Sequence, residues 1–188
     1  MDTSTPTQDY PALFLTALNH LFKAEGGYVD DALDAGGETK FGISQRAFPQ
    51  LNIRALTKAD AVRIYYQHYW LAYQCDQFPP AIAGFLFDAV VNHRPKVAVR
   101  FLQVQLQCIA DGIVGPSTIG WTRQYCISPD RTQDLLIRLF AQRADFYHDL
   151  VQDQPSQARF LMGWLRRLFS LHNHLLSEAD YGLAQQSI

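Results

Sequence analysis

Near the start of the chain, apolar residues recur at the spacing of one helix face. This pattern predicts an amphipathic helix whose inner stripe is Leu13, Phe14, Ala17, Leu18, Leu21 and Phe22. Gly26-Gly27 interrupts the pattern, so we expect the helix to end beside Glu25. From Tyr28 to Ile43 the apolar periodicity disappears and glycines supply turn signals. This segment is predicted to form a loop or a small β-hairpin.

Helical spacing also dominates the rest of the chain. Thr57 and Asp60 form a capping-box pattern that begins a helix continuing through Trp70. Five further helices are predicted. One starts near Ala81, one follows Pro95, a short one ends at about Tyr125, one begins at Ser128-Pro129, and the last runs from about Ser156 to Ser177. One apolar stripe of the helix after Pro95 is expected to face the core: Val97, Val99, Phe101, Leu102, Leu106 and Ile109. The sequence therefore predicts a mainly α protein with a small β-hairpin or loop insertion near residues 28–43.

Composition narrows the classes of partner. The 188 residues carry a formal net charge of −2, which gives no general electrostatic reason to expect nucleic acid or an anionic membrane. Residues 1–10 lack the features of a secretory signal, and no apolar run is long enough to span a bilayer. The three cysteines, widely spaced, are expected to be reduced and mostly buried: Cys75, Cys108 and Cys126. We therefore expect synthesis in the cytoplasm and no membrane anchor.

Motifs for metal, phosphate or nucleophilic chemistry are missing from the sequence. There is no HExxH pattern, no GxSxG elbow and no phosphate-binding glycine loop, and residues 30–38 fail the EF-hand pattern. We therefore expect no metal and no cofactor.

Glu25 is the strongest candidate for acid chemistry. It lies four residues after Leu21 and seven after Leu18, so helical geometry places its carboxyl group on the apolar face. Burial and the negative end of the helix dipole both favour the protonated form and should raise its pKa. A carboxylic acid kept protonated near neutral pH can donate a proton to a leaving sugar oxygen.

A second carboxylate should remain ionised and hold a water molecule. The glycine-rich segment offers Asp30, Asp31, Asp34 and Glu38, and we favour Asp34, with Thr39 as a hydroxyl that orients the water. Spacing alone does not distinguish this arrangement from solvated surface acids.

The residues around Glu25 carry a resemblance. EGGYV at 25–29 and DAGGETKFGI at 34–43 are similar to the signature of the bacterial and phage N-acetylmuramidases of glycoside hydrolase family 108. The similarity covers most of the chain, continuing through Tyr69-Trp70 and residues 87–92, 111–118 and 160–164. It implies a lysozyme-like helical fold that cleaves the β-1,4 bond between N-acetylmuramic acid and N-acetylglucosamine, with Glu25 as the catalytic acid. The order of Glu25, Asp34 and Thr39 also resembles the catalytic trio of phage-type lysozymes.

The resemblance also suggests a division of the chain and a set of substrate contacts. We expect a tail at 1–9, a catalytic half at 10–92, a helical half at 93–178 that binds peptidoglycan and packs with the first as one unit, and a tail at 179–188. Residues within the similar segments are expected to contact substrate: Tyr28, Gly37, Phe41 and Asn92.

Three further features have two interpretations each. The turn at 111–118 resembles one in peptidoglycan-binding domains, but its glycines and proline also suit a purely structural turn, which we favour. The basic corner His93-Arg94-Pro95-Lys96, where a small residue is expected, either lines the cleft or is solvated surface, which is commoner. The aromatic group Tyr65, Tyr66, Tyr69 and Trp70 either stacks on sugars or, as we favour, belongs to the core.

The alternative to an enzyme is a lysozyme-like module that binds the cell wall without cutting it, within a phage or a secretion apparatus. As an enzyme, the protein would reach the wall as an endolysin or as a secreted antibacterial effector. The effector role implies one more partner, a cognate immunity or inhibitor protein that covers the cleft.

Overall fold

A computed structural model of the protein describes residues 9–24 and 38–185, with side chains as far as residue 176. Those residues form seven α-helices and one antiparallel pair of strands, so the predicted mainly α class is confirmed. The elements are α1 (Ala12–Ala24), β1 (Thr39–Lys40), β2 (Ile43–Ser44), α2 (Lys58–Tyr65), α3 (Pro80–Asn92), α4 (Pro95–Gln105), α5 (Pro116–Tyr125), α6 (Pro129–Asp153) and α7 (Ala158–Gln185). A π-helix follows α2 at Tyr66–Leu71, and 3₁₀ turns lie at Cys75–Gln77 and Pro155–Gln157.

Local capping chemistry begins two of the helices as predicted. The backbone N–H of Asp60 donates to Thr57 Oγ1 at 3.1 Å, and the N–H of Thr57 donates to the Asp60 carboxylate at 3.1 Å. This reciprocal pair completes the capping box of α2. At the start of α6, Ser128 accepts a hydrogen bond from the N–H of Arg131, and Pro129 occupies the first turn.

The aromatic helix after Thr57 changes type partway along. It is α-helical to Tyr65 and then continues as the π-helix, where the sequence predicts one uninterrupted α-helix. In an α-helix, residues five apart point about 140° away from each other, whereas π-helical bonding brings such residues closer to one face. Tyr65 and Trp70 are consequently both buried, and Tyr66 and Tyr69 are half-buried. The core interpretation of this aromatic group is confirmed.

Helix α3 lies at the centre of the described structure. Its residues 82–90 are all buried, and it packs against α1, α4, α6 and α7. Gly84 permits the closest approach to α7, because a Cβ there would lie 2.6 Å from a methyl carbon of Leu175. Helices from both halves of the chain therefore share one core.

The predicted hairpin is present at the end of the glycine-rich segment. Thr39 pairs with Ser44 and Lys40 with Ile43. The two turn residues, Phe41 and Gly42, both have positive φ, at 54° and 74°. That geometry is typical of a type I′ turn, in which glycine at the second position avoids strain. The insertion near residues 28–43 therefore ends in a tight two-residue hairpin.

Three local expectations need correction. Ile109 does not point inward but is 83% exposed, because α4 ends at Gln105 and its stripe with it. The last helix starts at Ala158 and continues to Gln185, past the predicted end at Ser177 and into the expected tail. The thiols are free, as expected, but Cys75 is buried while Cys108 and Cys126 are only half-buried.

No helix in the described ranges is long and apolar enough to cross a membrane.

Candidate active site

Four of the seven predicted site residues lie outside the described residues: Glu25, Tyr28, Asp34 and Gly37. Helix α1 ends at Ala24, immediately before Glu25. The apolar stripe that would orient Glu25 is buried as predicted, since Phe14, Leu18 and Leu21 are each at most 2% exposed. The site can therefore be described from its surroundings, namely the end of α1, the hairpin and the helices packed against them.

The end of α1 and the hairpin turn are held together by three aromatic rings. The ring of Phe22 lies 6.3 Å from that of Phe41 and 5.8 Å from that of Tyr65. The Tyr65 hydroxyl donates a hydrogen bond to the backbone oxygen of Phe41 at 3.0 Å. This contact pins the turn to α2 and brings the hairpin beside the helix that leads into Glu25.

Phe41 has a structural part in this arrangement. Its ring is half-buried against Phe22, its carbonyl accepts from Tyr65, and the Lys40 ammonium lies 5.7 Å from its ring centroid. Phe41 thus anchors the hairpin turn. Contact of Phe41 with substrate remains a prediction.

Thr39 lies on β1, half-buried and paired with Ser44. Its neighbour Glu38 forms an ion pair with Arg54, with 2.8 Å between Oε1 and Nε. Lys40 Nζ donates to the backbone oxygen of Arg54 at 2.8 Å. These bonds fasten β1 to the segment before α2. Because the Glu38 carboxylate already holds Arg54, Glu38 is less suited than Asp34 to holding a catalytic water.

Asn92 lies at the C-terminal end of α3. Its side chain is exposed, and Nδ2 donates to the backbone oxygen of Asp88 at 2.7 Å. This bond closes the last turn of the helix. The described contacts of Asn92 thus join it to α3, and its contact with substrate stays a prediction.

A buried ionic cluster beside α1 escapes sequence reasoning. Asp88, on α3, pairs with Arg143 on α6 at 2.6 Å and with Arg167 on α7 at 3.1 Å. Burial disfavours the Asp88 carboxylate, but the two guanidinium groups outweigh it and hold the pKa of Asp88 below its usual range. Arg143 also donates to the Tyr147 hydroxyl at 2.9 Å. The only sequence signal was an aspartate inside an otherwise apolar run.

Two stacked histidines connect this cluster with the last turns of α1. The rings of His20 on α1 and His174 on α7 are parallel, with centroids 4.4 Å apart. Burial lowers the pKa of His20, His174 and Arg167 lower it further, and Asp88 acts in the opposite direction. Because Asp88 lies on α3, which packs directly against α1, the ionic cluster lies close to the helix that ends next to Glu25.

We favoured solvated surface for the basic corner after α3, and this interpretation is wrong for one of its residues. Arg94 and Lys96 are exposed, but the His93 ring is half-buried, 5.4 Å from the ring of Phe101 and 5.3 Å from that of Phe146. Burial, together with the nearby Arg143 charge, lowers the pKa of His93 to about 3. His93 is therefore a neutral packing residue near pH 7. Its aromatic partners come from distant sequence and could not be read from the corner itself.

The turn at 111–118 is held by internal hydrogen bonds, as the structural interpretation that we favoured predicts. Gln103 Nε2 donates to Asp111 Oδ1 at 2.8 Å and to Thr118 Oγ1 at 3.0 Å, while its oxygen accepts from the N–H of Gly112 at 2.8 Å. Gly112 has φ of 76°, and a Cβ there would lie 2.8 Å from the Lys96 backbone oxygen. One buried amide thus organises the whole turn.

Among the described residues, no cluster of three potential metal ligands occurs.

Comparisons with known proteins agree with this architecture. Residues 18–93 match the family model for glycosyl hydrolase 108, and residues 97–169 match the family described as predicted peptidoglycan domain. The solved structure titled "Structure of Brucella abortus SagA" superimposes with a TM-score of 0.73 at 28% sequence identity, over 87% of this chain and 94% of that one. None of the curated proteins matches the chain.

The fold is lysozyme-like, and the family match of residues 18–93 indicates the glycoside hydrolase class. The chain thus contains a region matched by glycosyl hydrolase 108 at residues 18–93 and a region matched by the predicted peptidoglycan domain at residues 97–169. It is therefore a glycoside hydrolase that acts on peptidoglycan in the cell wall.

Proposed function

We propose that the protein is an N-acetylmuramidase, which cleaves the β-1,4 bond between N-acetylmuramic acid and N-acetylglucosamine with Glu25 as its general acid. The observation that carries the proposal is the packing of α1. The helix buries Leu18 and Leu21, ends one residue before Glu25, and is fastened to the hairpin through Phe22. We infer from that stripe that the Glu25 carboxyl group is directed towards the core, where burial and the negative end of the helix dipole would favour its protonated form.

In the proposed reaction, Glu25 donates its proton to the glycosidic oxygen as the bond between that oxygen and the anomeric carbon breaks. A water molecule held by Asp34 and oriented by the Thr39 hydroxyl adds to the anomeric carbon and gives up a proton to a carboxylate. The products are a new reducing end and a free hydroxyl group on the leaving sugar. Thr39 is suited to this role because β1 is fixed by Glu38, Arg54 and the backbone pairing with Ser44.

The two regions matched by family models have different functions in this proposal. We assign catalysis to residues 10–92 and wall binding to residues 93–178, with Tyr28, Gly37, Phe41 and Asn92 as substrate contacts. The packing of α3 against α1, α4, α6 and α7 supports the two halves forming one folded unit.

The test is the release of reducing ends from purified peptidoglycan, followed by mass spectrometry of the soluble fragments. Fragments that end in reducing N-acetylmuramic acid are the expected products. Fragments that end in reducing N-acetylglucosamine would assign the enzyme to the other glycosidic bond. Wall binding without any new reducing end would instead favour the non-catalytic binding module.

A further inference from the structure

A pocket of about 380 Å³ lies between the segment before α2 and the outer side of α2 with its π-helical continuation. That volume falls within the range of small-ligand sites, roughly 300–1,000 Å³. Its apolar wall comes from Phe48, Leu56 and Ile64, which are each less than 9% exposed. Of the predicted site residues that the structure describes, namely Thr39, Phe41 and Asn92, none lines the pocket.

The pocket opens on the side of α2 that faces away from α1. Lys58 and Tyr65 contact Phe22 at the end of α1 and lie seven residues apart, hence on one helix face. Arg63, which lines the pocket, points about 160° away from Tyr65 at 100° per residue. A ligand in this pocket would therefore bind on the side of α2 opposite to the one that contacts Phe22 of α1.

The polar lining of the pocket is uncharged overall. Arg63 Nη2 lies 2.6 Å from Asp60 Oδ1, so the one cation and the one anion of the lining neutralise each other. The Asp60 carboxylate is further held by Thr57, whose hydrogen bonds lower the pKa of Asp60. The site thus has no uncompensated charge for an anionic peptide or a lactyl carboxylate.

Primary amides supply the remaining polar groups. Gln50, Asn52 and Gln67 are exposed residues of the lining, and a primary amide can both donate and accept hydrogen bonds. The Asn52 oxygen accepts from the Ala55 N–H at 3.2 Å, whereas the Asn52 NH₂ group and the two glutamine amides are suited to a ligand. Beside them, the exposed His68 ring stands edge-on to Phe48, with centroids 5.3 Å apart. Amides next to aromatic and apolar surface complement a neutral sugar, whose acetamido group needs a donor, an acceptor and an apolar contact for its methyl group.

We propose that this pocket is an accessory binding site for a neutral N-acetylhexosamine unit of the glycan strand. The inference rests on the proposed function, because it takes peptidoglycan as the substrate. A second contact on the same polymer raises the effective concentration of glycan at the cleft without contributing to bond cleavage. The pocket should therefore matter for long strands and not for fragments that fill only the cleft.

Residue-resolved NMR of the Glu25→Gln protein, titrated with N-acetylglucosamine, tests binding directly. Shifts centred on residues 48–68, and about tenfold weaker shifts with glucose, are expected from loss of the acetamido hydrogen bonds. Gln67→Leu should weaken binding at these residues about tenfold, while Gln133→Leu, an exposed glutamine on α6, should leave it unchanged. Absence of shifts at 48–68, or equal binding of glucose, would overturn the proposal.

Measurements of turnover on two substrates distinguish a failure of this inference from a failure of the proposed function. In the wild-type background, Gln67→Leu should slow the digestion of intact peptidoglycan several-fold and leave the cleavage of a short soluble glycan fragment unchanged. Equal loss on both substrates would contradict an accessory site. If the wild type cleaves neither substrate while N-acetylglucosamine still shifts residues 48–68, the muramidase proposal fails and the pocket assignment survives.

Discussion

Asp88 on α3 and Arg143 on α6 form an ion pair with 2.6 Å between Oδ2 and Nη1, and neither side chain is more than 5% exposed. Asp88 lies in the region matched by glycosyl hydrolase 108, whereas Arg143 and Arg167 lie in the predicted peptidoglycan domain. A single carboxylate thus joins the two matched regions through their common core. Its loss should affect the protein as a whole.

Asp88→Asn should lower the free energy of unfolding by about 3–5 kcal/mol, because it leaves the buried Arg143 and the half-buried Arg167 guanidinium groups beside a neutral amide. Urea denaturation followed by circular dichroism measures the change. The matched control is Asp134→Asn, which removes an exposed carboxylate paired with Arg138 and should alter stability little. Equal effects of the two substitutions would show that the buried pair does not stabilise the fold.

Stability should fall as the pH decreases from about 6.5 towards 3, because His93 is neutral in the folded state and protonated in the unfolded state. A histidine whose folded pKa is lowered to about 3 binds its proton preferentially after unfolding, so acid favours the unfolded chain. His20, whose pKa is also lowered, acts in the same direction. His93→Phe retains an aromatic ring against Phe101 and removes one of these two titrations.

Urea unfolding of the wild type and His93→Phe at pH 7, 6 and 5 provides the comparison. The slope of the unfolding free energy against pH should be smaller in the variant and should not vanish, since His20 remains. An unchanged slope would contradict a neutral His93 in the folded protein.

Tyr65→Phe should loosen the hairpin by removing the hydrogen bond to the Phe41 backbone oxygen. We expect a stability loss of about 1 kcal/mol and a several-fold lower rate on peptidoglycan, because Thr39 lies on the strand that this bond positions. Tyr73→Phe removes a half-buried hydroxyl from the end of the π-helical region and serves as the control. If Tyr65→Phe acts on peptidoglycan at the wild-type rate, the position of the hairpin does not contribute to catalysis.

Gln103→Leu should unfold the turn at 111–118 locally, since it removes the buried hydrogen-bond partner of the Gly112 N–H and of the Thr118 hydroxyl oxygen. Each lost partner should cost about 1–3 kcal/mol. Differential scanning calorimetry and sedimentation with insoluble peptidoglycan would be measured together. If the turn is structural, thermal stability falls; an unchanged Tm with wall binding abolished would instead identify the turn as a direct binding element.

Sequence reasoning predicted the features that depend on neighbouring residues. The caps at Thr57 and Ser128, the hairpin and the buried stripe of α1 all follow from residues a few positions apart. The Asp88 cluster was missed because Arg143 and Arg167 are 55 and 79 residues away. His93 was misjudged for the same reason, since its environment comes from α4 and α6.

The π-helix shows a different limit of sequence reasoning. Apolar periodicity detects that Tyr65 and Trp70 belong to a helix, but not the change of hydrogen-bond pattern that lets both be buried. For the site itself, the spacing of Glu25 from Leu18 and Leu21 predicts the direction of the side chain. The role of Asp34 depends on the path of the glycine-rich segment, which spacing does not determine.

The central claim is that Glu25 supplies the proton for glycosidic cleavage. Its most direct test compares wild type, Glu25→Gln and Asp134→Asn in the release of muropeptides from purified peptidoglycan, with circular dichroism to confirm folding. Asp134 is a suitable control because its exposed carboxylate lies on α6, outside the region matched by glycosyl hydrolase 108. Glu25→Gln should remain folded and release no muropeptides, while Asp134→Asn keeps most of the activity. Release by Glu25→Gln at the wild-type rate would contradict the assignment of Glu25 as the catalytic acid.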